Sequence, residues 1–157
     1  MLIDTHAHVT ADAFAEDRGA ALARAREAGV TRVINIGYDL PSSAASIELA
    51  ASEEMVWAAA GIQPHYAQET GEAELERLRE LLARPKVVAL GEIGLDYYHK
   101  RAPEDAQEAL FRRQLAMARE LGLPVIIHSR DARADTVRIL ADAAGGVDGV
   151  MHAFSGD

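Results

Sequence analysis

The sequence predicts an α/β fold built on a parallel sheet, and three observations carry that reading. Short, nearly unbroken apolar and β-branched runs alternate with longer stretches of helical pattern. The runs lack the apolar–polar alternation of a sheet with one wet face, so both of their faces are covered, as in sheets whose crossover helices pack over them. A histidine or glutamate closes run after run, and in a right-handed βα series all such ends lie along one edge.

Taken in order, the expected strands are Leu2–His6, Arg32–Gly37, Met55–Gly61, Lys86–Glu92, Pro124–His128 and Gly149–His152. The helical stretches lie between them. Phe14–Ala28 is rich in Ala, Arg and Glu, and Gly29 is placed as its stop. Ser42–Ser52 follows Pro41, a residue suited to a first helical turn. Glu72–Ala83 carries Leu75, Leu78, Leu81 and Leu82 on one side and is closed by Pro85. Glu104–Leu121 has a broad apolar side ahead of Gly122, and Ala134–Ala144 is the last helix. No Pro/Ser linker, repeat or low-complexity block divides the chain, so residues 1–157 are expected to form one domain. The pattern alone leaves open whether the sheet is flat or closed into a barrel.

Composition bounds the function. Apolar residues make up 49% and charged residues 26%, a globular balance. The net charge of −9, from 25 acids against 16 bases, argues against a polyanion binder with a broad basic surface. A nuclease is still compatible with it, because bound divalent cations supply local positive charge. With no cysteine, any metal is held by histidine and carboxylate. No signal-peptide pattern and no membrane-length apolar run are evident, so the expected location is cytoplasmic.

The first strand brings Asp4, His6 and His8 together by alternation. Residues two apart share a strand face, so both imidazoles point the same way and can grip one cation. His-x-His alone also suits an edge strand with two incidental histidines. What decides for a metal is Glu92, His128 and His152 at equivalent strand ends. Four imidazoles and one carboxylate exceed the needs of a single tetrahedral zinc. They suit two divalent ions about 3.5–4 Å apart, with Glu92 as the bridge between them and the expected catalytic carboxylate. The reaction expected of such a pair is hydrolysis by an activated water.

Five segments then carry a family resemblance: DTHAH (4–8), GIQPH (61–65), GEIGLDYY (91–98), PVIIHSRDA (124–132) and MHAFSG (151–156). Together, and in this order along the whole chain, they resemble the TatD-related metal-dependent deoxyribonucleases, (β/α)8 TIM-type barrels of the amidohydrolase superfamily. The resemblance implies that His6, His8, Glu92, His128 and His152 are metal ligands, that the ions are Mg, Mn or Zn, and that DNA is cleaved from the 3′ end. It places Gln63 where the family commonly has histidine. His65, in the same motif, is expected either to meet a substrate phosphate or to cap backbone.

A barrel of this type runs to about 250 residues. The 157 residues here supply about the first six βα units, so the chain is expected to be C-terminally incomplete, without the final-strand aspartate of the family. Asp96 and Asp157 are the only replacements in view. Competing expectations are an amidohydrolase or D-aminoacyl-tRNA deacylase acting on amides or esters, and a non-catalytic remnant. Among smaller signals, Arg130 shares a face with His128 and is expected to bind phosphate or to pair with Asp131 or Asp135. Tyr97 and Tyr98 are expected to pack at the rim rather than stack on a base, and His99 to be solvated in a polar turn. Asp4 is expected either to support His6 or to bond backbone.

Overall fold

The computed structural model describes residues 1–143 and 146–154. Six strands, β1 (Leu2–Ala7), β2 (Val30–Ile36), β3 (Val56–Ala60), β4 (Val87–Asp96), β5 (Val125–Arg130) and β6 (Gly149–Met151), pair in parallel and in chain order. A helix occupies every crossover: α1 (Arg18–Glu27), α2 (Leu40–Ser52), α3 (Glu72–Leu82), α4 (Glu104–Leu121) and α5 (Arg133–Asp142). This is the winding of a (β/α)8 barrel, of which the described residues form six consecutive strands. The sheet curls enough that His6, on β1, and His152, just past β6, stack their rings with centroids 3.5 Å apart.

Alternation along the strands sorts the core into two layers. Val56, Ala58, Leu90, Val125 and Ile127 face the helices and join Leu78, Phe111, Leu115 and Ile139 in the main cluster. Ile36, Ala59, Ala89 and Ile126, with Ile34 against them, form a smaller cluster on the opposite face. His128 lies two residues beyond Ile126 on β5, so the smaller cluster is the apolar floor beneath the histidines.

The helices end where chemistry dictates, with some boundaries differing from expectation. α2 begins at Leu40 because Asp39 caps it: Ser42 N–H donates to Asp39 Oδ1 at 2.7 Å, and Asp39 N–H donates to Ser42 Oγ at 3.0 Å. α4 stops at Gly122, whose φ of +65° favours a residue without Cβ. α1 starts four residues later than its composition suggested, since Asp12–Phe14 form a separate 3-10 turn. Leu22 is the buried residue of α1, so little apolar surface holds the helix in any longer form. A second short turn, Pro64–Glu69, carries His65. The expected end of α5 at Ala144 lies outside the described residues.

The longest strand is the one that shapes the site. β4 was expected to end at Glu92 but runs on to Asp96, pairing Gly94, Leu95 and Asp96 with His128, Ser129 and Arg130. Its register slips between Gly91 and Ile93, leaving Glu92 out of the ladder as a bulge. The freed Glu92 N–H donates to the Gly37 carbonyl at the end of β2, 3.0 Å away. This crossing passes over Gly61 at the end of β3, where a Cβ would meet Gly91 C at 2.7 Å and Glu92 N at 3.0 Å. Gly61 is glycine because backbone fills the space a side chain would need.

Candidate metal centre

Glu92 is the centre of the site. Its carboxylate is 2% exposed, with His128 Nδ1 at 3.0 Å from Oε1 and His6 Nε2 at 3.4 Å from Oε2. Burial pushes its pKa up, but hydrogen bonding from His128, the approach of His6 and the Gln63 side chain outweigh it and hold the carboxyl well below the usual carboxylate range. The His6 contact lacks the alignment of a hydrogen bond: His6 Nε2 is buried and has no hydrogen-bond partner among the described residues. His8 lies beside His6, ring centroids 5.1 Å apart. Its Nδ1 sits 3.1 Å from the Ile36 carbonyl, which can only accept, so Nδ1 is the donor there and Nε2 is the nitrogen left for a ligand bond. Ligand atoms of His6, His8 and Glu92 all lie within 4.8 Å of one another, close enough to hold one metal ion.

Across His128 lies a second buried carboxylate, Asp96, 0% exposed. His128 Nε2 meets Asp96 Oδ2 at 2.9 Å while its Nδ1 meets Glu92, so one imidazole links the two acids. His65 Nε2 and His99 Nδ1 reach the same Asp96 oxygen at 3.1 and 2.8 Å, and His99 N–H donates to Oδ1 at 2.9 Å. Burial raises the Asp96 pKa, but these donors, with His99 foremost, hold it well below the usual range. Burial also opposes protonation of His128, yet its bonds to Glu92 and Asp96 raise its pKa overall. His152 goes the other way, lowered by burial and by the neighbouring His6.

A family model described as TatD related DNase matches residues 3–157. The chain belongs to the TatD-related DNase family. It is 41% identical over 157 residues to the "Uncharacterized metal-dependent hydrolase YabD" of Bacillus subtilis (strain 168), covering 99% of this chain and 62% of that protein. To the "3′-5′ ssDNA/RNA exonuclease TatD" of Edwardsiella piscicida it is 38% identical over 157 residues, covering 99% of this chain and 60% of that protein. Among solved structures, the TatD homolog YJJV of Escherichia coli K12 superposes with a TM-score of 0.93 at 35% identity, covering 99% of this chain and 61% of that one. The chain therefore spans about 60% of the length of the relatives it matches.

The site of this TatD-family chain brings together the residues expected from sequence. His6, His8, Glu92, His128 and His152 converge through the contacts above and the His6–His152 stack. His65 joins them through Asp96, not through backbone. Arg130 stays outside the cluster: it is exposed, and its guanidinium lies over the Tyr98 ring at 4.3 Å. Gln63 stands against Glu92.

Several expectations are corrected. His99 is not simply solvated, because its ring and N–H both engage Asp96. Of the two expectations for Asp4 the backbone one holds: it is exposed, and its carboxylate accepts the His6 backbone N–H at 3.1 Å. Asp96 faces His65, His99 and His128 and so does not stand in for a carboxylate beside His6 and His8. Tyr97 packs at the rim as expected, its hydroxyl donating to Asp135 at 3.2 Å. Asp157 and the end of the MHAFSG motif lie outside the described residues. The sequence did hold a signal for Asp96: it lies four residues beyond Glu92, on the same face of an extended strand, with Gly94 between them.

Proposed function

We propose that this chain carries the metal-binding face of a divalent-metal-dependent nuclease that hydrolyses phosphodiester bonds of single-stranded DNA from the 3′ end. The observation that supports this most is His6 Nε2, a buried nitrogen without a hydrogen-bond partner among the described residues, beside a buried, ionised glutamate. Leaving such a group unsatisfied costs about 1–3 kcal/mol, which a cation accepting its lone pair removes. In this reading His6, His8 and Glu92 would hold one ion, and Glu92, His128 and His152 a second, from Mg, Mn or Zn. Bound cations supply Lewis acidity, neutralising phosphate charge and easing the loss of a proton from the attacking water.

The chain's own residues prepare the rest. The Ile36 carbonyl fixes the His8 tautomer, and Asp96 orients His128 so that Nδ1 faces Glu92. Glu92 is kept anionic in a nearly dry setting, the state in which it would serve as a metal ligand. Arg130, exposed on the same strand as His128 with its guanidinium over Tyr98, would take a substrate phosphate in this reading. His65 stands at the same mouth, where a phosphate would enter. Relatives named as 3′-5′ ssDNA/RNA exonucleases support the choice of substrate.

The test is a 5′-labelled single-stranded oligodeoxynucleotide with Mg²⁺ or Mn²⁺. The label should appear in progressively shorter products, cleavage should stop with EDTA, and Glu92→Gln should slow it on the order of 100-fold or more. An intact oligonucleotide alongside turnover of a D-aminoacyl ester would overturn the nuclease reading in favour of amide or ester chemistry. Metal binding with turnover of neither would overturn a hydrolytic role for this chain.

A further inference from the structure

We infer that the chain holds another transition-metal site, formed by His65 Nε2, Asp96 Oδ2 and His99 Nδ1, which takes a zinc-class cation and is distinct from the His6, His8 and Glu92 group. The inference goes beyond the nuclease reading and does not depend on it.

The three donor atoms lie within 4.8 Å of one another. They come from separate parts of the chain: the Pro64–Glu69 turn, the last residue of β4, and the turn that follows it. What marks the cluster is how its donors are shared. Asp96 Oδ2 has three imidazole nitrogens at 2.8, 2.9 and 3.1 Å, from His99, His128 and His65, while Oδ1 takes one backbone N–H. A carboxylate oxygen offers about two lone-pair sites, so three N–H donors on one oxygen oversubscribe it. A cation resolves the crowding. His65 and His99 turn lone pairs to the ion, Oδ2 becomes its third ligand, and His128 keeps its N–H on Asp96.

The dimensions fit. Tetrahedral zinc, with bonds of about 2.0–2.2 Å, sets neighbouring ligand atoms about 3.3 Å apart. The 2.8 Å His99 and 3.1 Å His65 contacts need only a small opening to reach that spacing, and both histidines sit on surface turns. Asp96 is already fixed from behind, since its backbone N–H donates to Gln107 Oε1 at 2.8 Å. Its side chain is 0% exposed, whereas those of His65 and His99 are 16% and 36% exposed, so the site opens outward. Two imidazoles and one carboxylate select zinc, cobalt or nickel over magnesium and calcium. The fourth position is left to water or another oxygen ligand.

Native mass spectrometry of the 157-residue chain with Zn²⁺ tests this, with Co²⁺ absorption as a second readout. His99→Ala should bind one ion fewer than wild type and lose part of the four-coordinate Co²⁺ absorption. The double variant His6→Ala/His8→Ala should keep both that ion and that part of the spectrum. Where His99→Ala melts below the working temperature, His65→Gln should show the same loss. Equal ion counts in wild type, His99→Ala and His65→Gln, with unchanged Co²⁺ spectra, would overturn the site. Should His6→Ala/His8→Ala lose nothing while His99→Ala loses one ion, the nuclease centre fails and this site stands.

Discussion

Glu92, Asp96 and His128 form a chain of charge in which two buried acids share one imidazole. Without metal, that arrangement favours a protonated His128, whose pKa is raised despite its burial. The sign of the linkage follows. A histidine with a folded pKa above its unfolded value of about 6.5 contributes stability that is fully present below that value and lost as pH rises through the folded pKa. His152 carries the opposite shift, so the contribution of His128 must be isolated by difference. In EDTA-treated protein, wild type should exceed His128→Gln in melting temperature by a margin that shrinks steadily from pH 6 to pH 9. A margin that is flat or grows with pH would show that His128 is neutral in the metal-free fold. Metal binding should respond in the other direction, tightening as pH rises, because a ligand nitrogen must give up its proton. Isothermal titration with Zn²⁺ in buffers of different ionisation enthalpy checks this by the protons released.

Which elements form, and which side chains meet at their ends, was largely legible because it rests on two periodicities. Apolar runs of strand length with a polar residue at the end place His6, His8, His128 and His152 at one rim without further information. What stayed hidden depends on register and turns. The bulge at Glu92 lets β4 continue to Asp96, and the spacing of Asp96 from Glu92 in GEIGLD becomes a shared face only once that continuation is known. Gly61 shows how tightly that bulge is held. A methyl group there meets the backbone of Gly91 and Glu92, so Gly61→Ala should cost about 1–3 kcal/mol and weaken metal binding by displacing Glu92. Lys86 was equally unreadable. Expected to open β4, it adopts φ +62° just before the strand, and its Nζ, with three N–H donors shared among them, lies 2.7–3.3 Å from the carbonyls of Ala50, Glu53, Glu54 and Val56. It thus closes the C-terminal end of α2, where unpaired carbonyls favour a cation. Lys86→Met should destabilise the fold by about 1.5–3 kcal/mol, read as a shift in the urea midpoint with an unchanged slope.

On the scale of the whole sheet, the winding that aligns six strand ends also leaves β1 and β6 as edges. The two meet at the mouth through the His6–His152 stack, and away from it they carry apolar side chains into solvent. Leu2 and Ile3 on β1 are 59% and 53% exposed, and Val150 on β6 and Phe154 beyond it are 58% and 59% exposed. A parallel sheet is ordinarily covered on both faces and closed or capped at its edges, so these strands present unpaired backbone groups beside apolar surface. The consequence is association driven by the edges. Sedimentation velocity on the 157-residue chain should show a weight-average coefficient that climbs with concentration in the micromolar range. Ile3→Lys, which puts a charge on the β1 edge without touching the main core, should suppress that climb, and Val150→Lys should do the same at β6. Helix content by circular dichroism should be unchanged in both, because α1–α5 pack on the other layer. If both variants associate as wild type does, the edges are not the contact, and the exposed apolar residues of the helical layer, Leu121 and Val137, become the surface to change next.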